Sequence, residues 1–103
     1  MAITAAGNTI QLTATNAATA LWPDLREIVG MSFEGTGLTT GQELVVRAGA
    51  TIGSGDVLAD YITEGTTDQR DLWNEREPMA VRGIALDNTT IDGTWTLTVM
   101  FRV

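Results

Sequence analysis

The sequence contains no cysteine, no histidine and no lysine. Without cysteine no disulfide can form, and the redox compartment cannot be read from thiols. Without cysteine and histidine the common thiolate and imidazole zinc sites are excluded. The only serines are Ser32 and Ser54, and no imidazole is present to serve as their base. Ser54, in Gly53-Ser54-Gly55, also lacks the strand–elbow–helix context of a hydrolase nucleophile. Long apolar runs are missing too. The longest is a few residues, far short of the roughly 20 that a membrane-spanning helix needs. The opening MAITAAGNTI has neither a basic region nor an apolar stretch, so it does not read as a signal peptide. The expectation is a domain made and kept in a soluble compartment, or assembled into something that forms there.

The chain has 103 residues, with no repeat, low-complexity tail or dividing linker. One domain over 1–103 is expected, large enough for one modest core. The net charge is −7. That sign repels phosphate backbones and anionic lipid, which argues against nucleic-acid and membrane-surface partners. All six basic residues are arginine (Arg26, Arg47, Arg70, Arg76, Arg82 and Arg102). The planar guanidinium suits interfacial carboxylate pairing better than an ammonium does; nucleotide bias in the source genome explains the same usage equally well.

Helical periodicity is nearly absent, and short alternating runs are punctuated by Gly, Thr, Asn and Asp. The clearest run is 94–103, with Trp95, Leu97, Val99, Phe101 and Val103 on one face. Thr94, Thr96, Thr98, Met100 and Arg102 fall on the other, the pattern of a half-buried strand. Asn8–Thr13 puts Ile10 and Leu12 inward. Glu27–Glu34 sets Val29, Met31 and Phe33 against Ile28, Gly30 and Ser32. Gln42–Ala48 offers Leu44 and Val46, and Asp56–Thr63 sets Val57, Ala59 and Tyr61 against Leu58, Asp60 and Ile62. Met79–Leu86 carries Val81, Ile84 and Leu86, with Gly83 marking a bulge or a close backbone approach. Pro23–Glu27 reads as a helical turn with proline at its first position. Asp71–Glu77 reads as an irregular edge, and Glu64–Asp68 as a turn. The expected fold class is all-β: a single-domain β-sandwich, or small barrel, of about six to seven strands with little or no helix.

Several segments invite a chemical reading and fail it. Gly49–Gly55 is glycine-rich but has no lysine and no following helix, so it is not a phosphate-binding loop. Asp87, Asn88 and Asp92 supply oxygen ligands, but calcium takes six to eight and the spacing is not that of an EF-hand; Asx turns explain them. Paired carboxylates for glycoside hydrolysis would need a groove that so small a domain scarcely accommodates. No catalytic, cofactor or metal residue is assigned. Trp73 lies among charges, at Asp71, Asn74, Glu75, Arg76 and Glu77, and tryptophan and arginine are enriched at interface hot spots. Trp73, Arg70, Arg76 and Trp22 are therefore the interface candidates, although core packing explains Trp22 better and Trp73 equally well.

The opening Met1-Ala2-Ile3-Thr4, followed by Gly7-Asn8-Thr9-Ile10-Gln11-Leu12-Thr13, resembles the start of small structural proteins of tailed bacteriophages. Met79-Ala80-Val81-Arg82-Gly83-Ile84 and the closing Gly93-Thr94-Trp95-Thr96-Leu97-Thr98-Val99 continue the likeness, while 35–76 departs from it. The resemblance implies a non-enzymatic virion protein, a capsid decoration (cement) protein. Such a protein binds the major capsid protein on the outside of the shell as a homo-oligomer, with a trimer favoured and assembly in the host cytoplasm. It implies no cofactor. The alternative is a carbohydrate- or receptor-binding β-sandwich module, for which Trp22, Trp73 and Tyr61 would have to face solvent together.

Overall fold

The computed structural model describes residues 2–6, 8–13, 18–49, 51, 54–73, 77–87 and 91–102. Among them there is no helix, and eight strands form one antiparallel sheet. The strands are β1 (Ala2–Ala6), β2 (Thr9–Thr13), β3 (Ala18–Thr36), β4 (Glu43–Ala48), β5 (Val57–Ile62), β6 (Thr67–Asp71), β7 (Met79–Asp87) and β8 (Thr94–Phe101). Their hydrogen-bonded order is β1-β2-β8-β3-β7-β4-β5, and β6 pairs with β3.

The 19-residue β3 organises the sheet. Its second half pairs with β8 from Ile28↔Phe101 to Thr36↔Thr94. Along its other edge it pairs first with β7, from Ala18↔Leu86 to Ile28↔Met79, and then with β6, from Ser32↔Asp71 to Thr36↔Thr67. In a flat sheet β5 would lie three strands from β3, about 14 Å away. The Phe33 ring of β3 nevertheless meets the Tyr61 ring of β5 at 4.8 Å between centroids. The sheet therefore curls over, and its two wings enclose one core. The layered arrangement expected from the sequence is made by a single open sheet.

The alternation in β8 is as expected. Trp95, Leu97, Val99 and Phe101 are buried, while Thr94 is exposed and Thr96, Thr98 and Met100 are half-buried. Val103 lies outside the described residues. Leu44 and Val46 of β4 and Ile10 of β2 are also inward as expected. Trp95 stacks on Phe33 at 5.6 Å, and Trp22 meets Phe101 edge-on at 4.8 Å. Such pairs add roughly 0.5–1.5 kcal/mol beyond the area they bury.

Three bulges shift the phase. Between β3 and β8 the register moves at Ile28/Gly30, which turns Ile28 fully inward and leaves Val29 40% exposed. That reverses the face expected for both residues. Between β4 and β5, Val46 faces Ala59 and Arg47 faces Val57, so Leu58 is the extra residue. Leu58 and Ala59 are then both buried and Val57 is 43% exposed, again opposite to simple alternation for Leu58 and Val57. Between β3 and β7 the register moves from Leu21↔Gly83 to Arg26↔Val81. Pro23 falls in this interruption, where the ladder requires no N–H from it. The helical turn expected over Pro23–Glu27 is thus a bulged part of β3. Gly83 sits at the bulge, and its carbonyl also accepts the Gly49 N–H at 2.9 Å.

One end of the sheet is closed by loops. Leu38 and Ile91 fill it, each 3% exposed. The Asp92 carboxylate accepts hydrogen bonds from the Thr39 N–H at 3.1 Å and the Thr39 hydroxyl at 2.9 Å. Thr63 is 1% exposed; its hydroxyl donates to the Thr39 carbonyl at 2.6 Å and accepts from the Gln42 N–H at 2.9 Å.

Candidate functional site

Of the three interface candidates among the described residues, Trp22, Arg70 and Trp73, the structure forms no exposed cluster. Trp22 is 6% exposed, and its indole N–H donates to the Val81 carbonyl at 2.6 Å. Trp73, in the bend after β6, is 4% exposed, and its backbone N–H donates to the Asp71 carboxylate at 3.1 Å. Arg70 is exposed on β6 and ion-paired with Glu64. Arg76 lies outside the described residues. Tyr61, the third ring of the carbohydrate-platform reading, is also buried. In the isolated chain these three rings pack the interior.

Arg70 belongs to a polar group at the β5–β6 connection. The Tyr61 hydroxyl donates to Asp68, and the Glu64 N–H donates to the same carboxylate oxygen at 3.0 Å. Burial, followed by the hydrogen bond to Asp68, pushes the Tyr61 phenol up to about 12. The Tyr61 hydroxyl, followed by the Glu64 N–H, holds Asp68 below the ordinary carboxylate value. Asp68 of β6 accepts from Tyr61 of β5 and from the Glu64 N–H of the connection, so the group ties the start of β6 back to the end of β5.

The segments considered for chemistry serve as structural ties. Asp87 pairs with Arg47, Nε to Oδ2 at 2.8 Å, and Arg47 also donates to the Gly55 carbonyl at 3.1 Å. Asp92 is committed to Thr39 as described, and Asn88 lies outside the described residues. The Ser54 N–H donates to the Thr51 carbonyl at 3.2 Å within its loop. Among the described residues, no three of His, Cys, Asp and Glu are grouped to hold a metal ion.

The organised surface is the outer face of β2–β8–β3–β6. The ladders align Gln11, Thr98, Ser32 and Asp71 in one row across the sheet, and Thr96, Glu34 and Gln69 in the next. Thr94, Thr36 and Thr67 make a third row. Much of this face lines a half-open depression of 320 Å³. Its polar side chains are hydroxyls, carboxamides and the Glu34 carboxylate; Phe33, Gly35 and Trp95 also line it, and no arginine does. It can donate and accept many hydrogen bonds, and Glu34 is the one charged side chain that lines it. The sequence signal for it was the threonine set at 94, 96 and 98; its partners on β3 and β6 became visible only with the register.

The face lies between edges of contrasting character. β1 is the terminal strand at one end of the sheet path and β5 at the other. All charged side chains of the sequence lie beyond residue 23, so β1 and β2 contain none. β6, the third edge, reads Thr-Asp-Gln-Arg-Asp and is largely exposed. β5 exposes Val57 at 43% and Ile62 at 54%. Beside them Asp60 approaches Glu43, and its hydrogen bond and negative charge push the Glu43 carboxyl above its ordinary value. Neither β1 nor β6 was anticipated from the sequence as a strand.

No known protein family, no curated protein and no solved structure matches this chain.

Proposed function

We propose that the chain is a non-enzymatic structural protein of a tailed-bacteriophage particle: a capsid decoration protein that binds the major capsid protein on the outside of the shell. It acts as a homo-oligomer, with a trimer favoured, and stabilises the assembled shell. The observation that carries this reading is the build of the surface. The chain presents a broad hydroxyl- and carboxamide-rich sheet face bordered by open strand edges. Such a face suits extended contact with another protein, where many modest contacts repeated over several copies add up through avidity. The resemblance of 1–4, 7–13, 79–84 and 93–99 to phage structural proteins points the same way. The carbohydrate- or receptor-binding alternative called for Trp22, Trp73 and Tyr61 side by side in solvent, and their burial removes that support.

The test adds the purified chain to shells assembled from major capsid protein alone and follows shell disruption on heating. The decorated shell is expected to survive to a higher temperature, and Glu34→Arg, which reverses the one charge in the middle row of the face, is expected to reduce the gain. Shells that disrupt at the same temperature with and without the chain would overturn the proposal.

A further inference from the structure

An edge strand presents unpaired backbone donors and acceptors, and proteins ordinarily protect it with charge, proline or a bulge. The three edges here are protected unequally. β6 carries Asp68, Arg70 and Asp71. β1 reads Ala-Ile-Thr-Ala-Ala, with no charge and no proline. β5 has its bulge and Asp60, yet leaves Val57 and Ile62 in solvent. In a chain of net charge −7, a charge-free edge is where another copy can approach with least repulsion. A β5–β5 contact would set Asp60 and its neighbour Glu43 against their own duplicates. A β1–β1 contact would leave Val57 and Ile62 uncovered. Pairing β1 of one copy with β5 of the next covers both edges and opposes no like charges. The strands also match in length, with five residues in β1 and six in β5.

We infer that the chain self-associates head to tail, with β1 of one copy adding to the β5 edge of the next. The contact is heterologous, so it closes into a ring or extends without limit; because the sheet is already curled, a small ring is the expected form. A single five-residue edge buries less than the roughly 1,200 Å² of a stable interface, so association depends on concentration and is secured by ring closure. Salt strengthens it, because screening reduces the mutual repulsion of acidic copies while the contact itself contains no ion pair. This inference deepens the homo-oligomer part of the proposed function but needs no capsid to test, so either can fail alone.

The test is light scattering across a concentration series, with and without added salt, on the wild type, T4D, I62D and their equimolar mixture. The wild type is expected to reach a defined multiple of the monomer mass, at lower concentration when salt is added. Each variant alone is expected to remain monomeric while melting like the wild type. At the top of the concentration series the mixture is expected to form a one-to-one dimer, held more weakly than the wild type because a single contact closes no ring, since T4D keeps an intact β5 and I62D an intact β1. A wild type that is monomeric throughout, an I62D that associates like the wild type, or a mixture no heavier than either variant alone at the top of the concentration series would each overturn the inference. If either variant melts well below the wild type, A6D, on the same face of β1 as Thr4, and V57D replace them with the same expected outcomes.

Discussion

Tyr61 is the only tyrosine in the sequence, so its titration can be followed without interference by ultraviolet difference spectroscopy. Burial and Asp68 raise its phenol from an ordinary 10 to about 12. The stability this contributes is complete below pH 10 and is lost as the pH climbs toward 12. Asp68 runs the other way: its lowered value makes its contribution complete above the ordinary aspartate value of 3.8 and lost as the pH falls below it. Asp68→Asn is expected to bring the Tyr61 titration back toward 10 and to flatten the loss of stability in acid. A Tyr61 titration near 10 in the folded wild type would contradict the buried pairing. Trp95 and Phe101, 1% and 2% exposed, rest on packing instead. Truncating either to alanine is expected to cost about 3–5 kcal/mol in denaturant unfolding, as large aromatic core truncations do. Both positions were legible from the sequence, because alternation in β8 runs uninterrupted. The exposure of Trp73 was not legible, because a tryptophan between charged residues looks the same whether it turns inward or outward.

Elements were legible where a strand pairs without bulges and carries large apolar residues on one face. β2, β4, β7 and β8 meet that condition in large part. β3 and β5 do not, because each contains a bulge that breaks the alternation: Ile28 and Met31, three residues apart, both turn inward in one, and the adjacent Leu58 and Ala59 in the other. A period-two reading slips at such points, since one extra residue flips every side chain that follows. β1 and β6 escaped notice for another reason. Ala-Ile-Thr-Ala-Ala and Thr-Asp-Gln-Arg-Asp have no large apolar alternation, and both strands owe their conformation to the ladder beside them. The turn before β8 makes a test at this scale. Gly93 has a φ of 80°, and a Cβ there would lie 2.6 Å from the carbonyl oxygens of Thr36 and Gly37. Gly93→Ala is expected to destabilise the fold by more than the roughly 1–2 kcal/mol of a left-handed residue alone, because backbone must also move. Thermal melting of the variant close to that of the wild type would show that the β3–β8 end of the sheet is looser than described.

At the scale of the whole molecule, one curled sheet provides a core on its concave side, a polar face on its outer side and two lightly protected ends. The core accounts for the apolar residues that the sequence pattern marked, while the outer face and the ends account for what the pattern left unused. Charge is distributed to match. The acidic residues and arginines tie β4 to β7 and close the β5–β6 connection, while the β1–β2 end remains neutral. The proposed shell-binding role draws on the area of that outer face and on the open edges beside it. The most direct measurement is co-sedimentation of the chain with assembled major capsid protein shells, compared with unassembled subunits. Saturable binding to shells at a fixed number of copies per capsid subunit, with little binding to free subunits, is the predicted result. A chain that stays in the supernatant at every concentration would contradict the account.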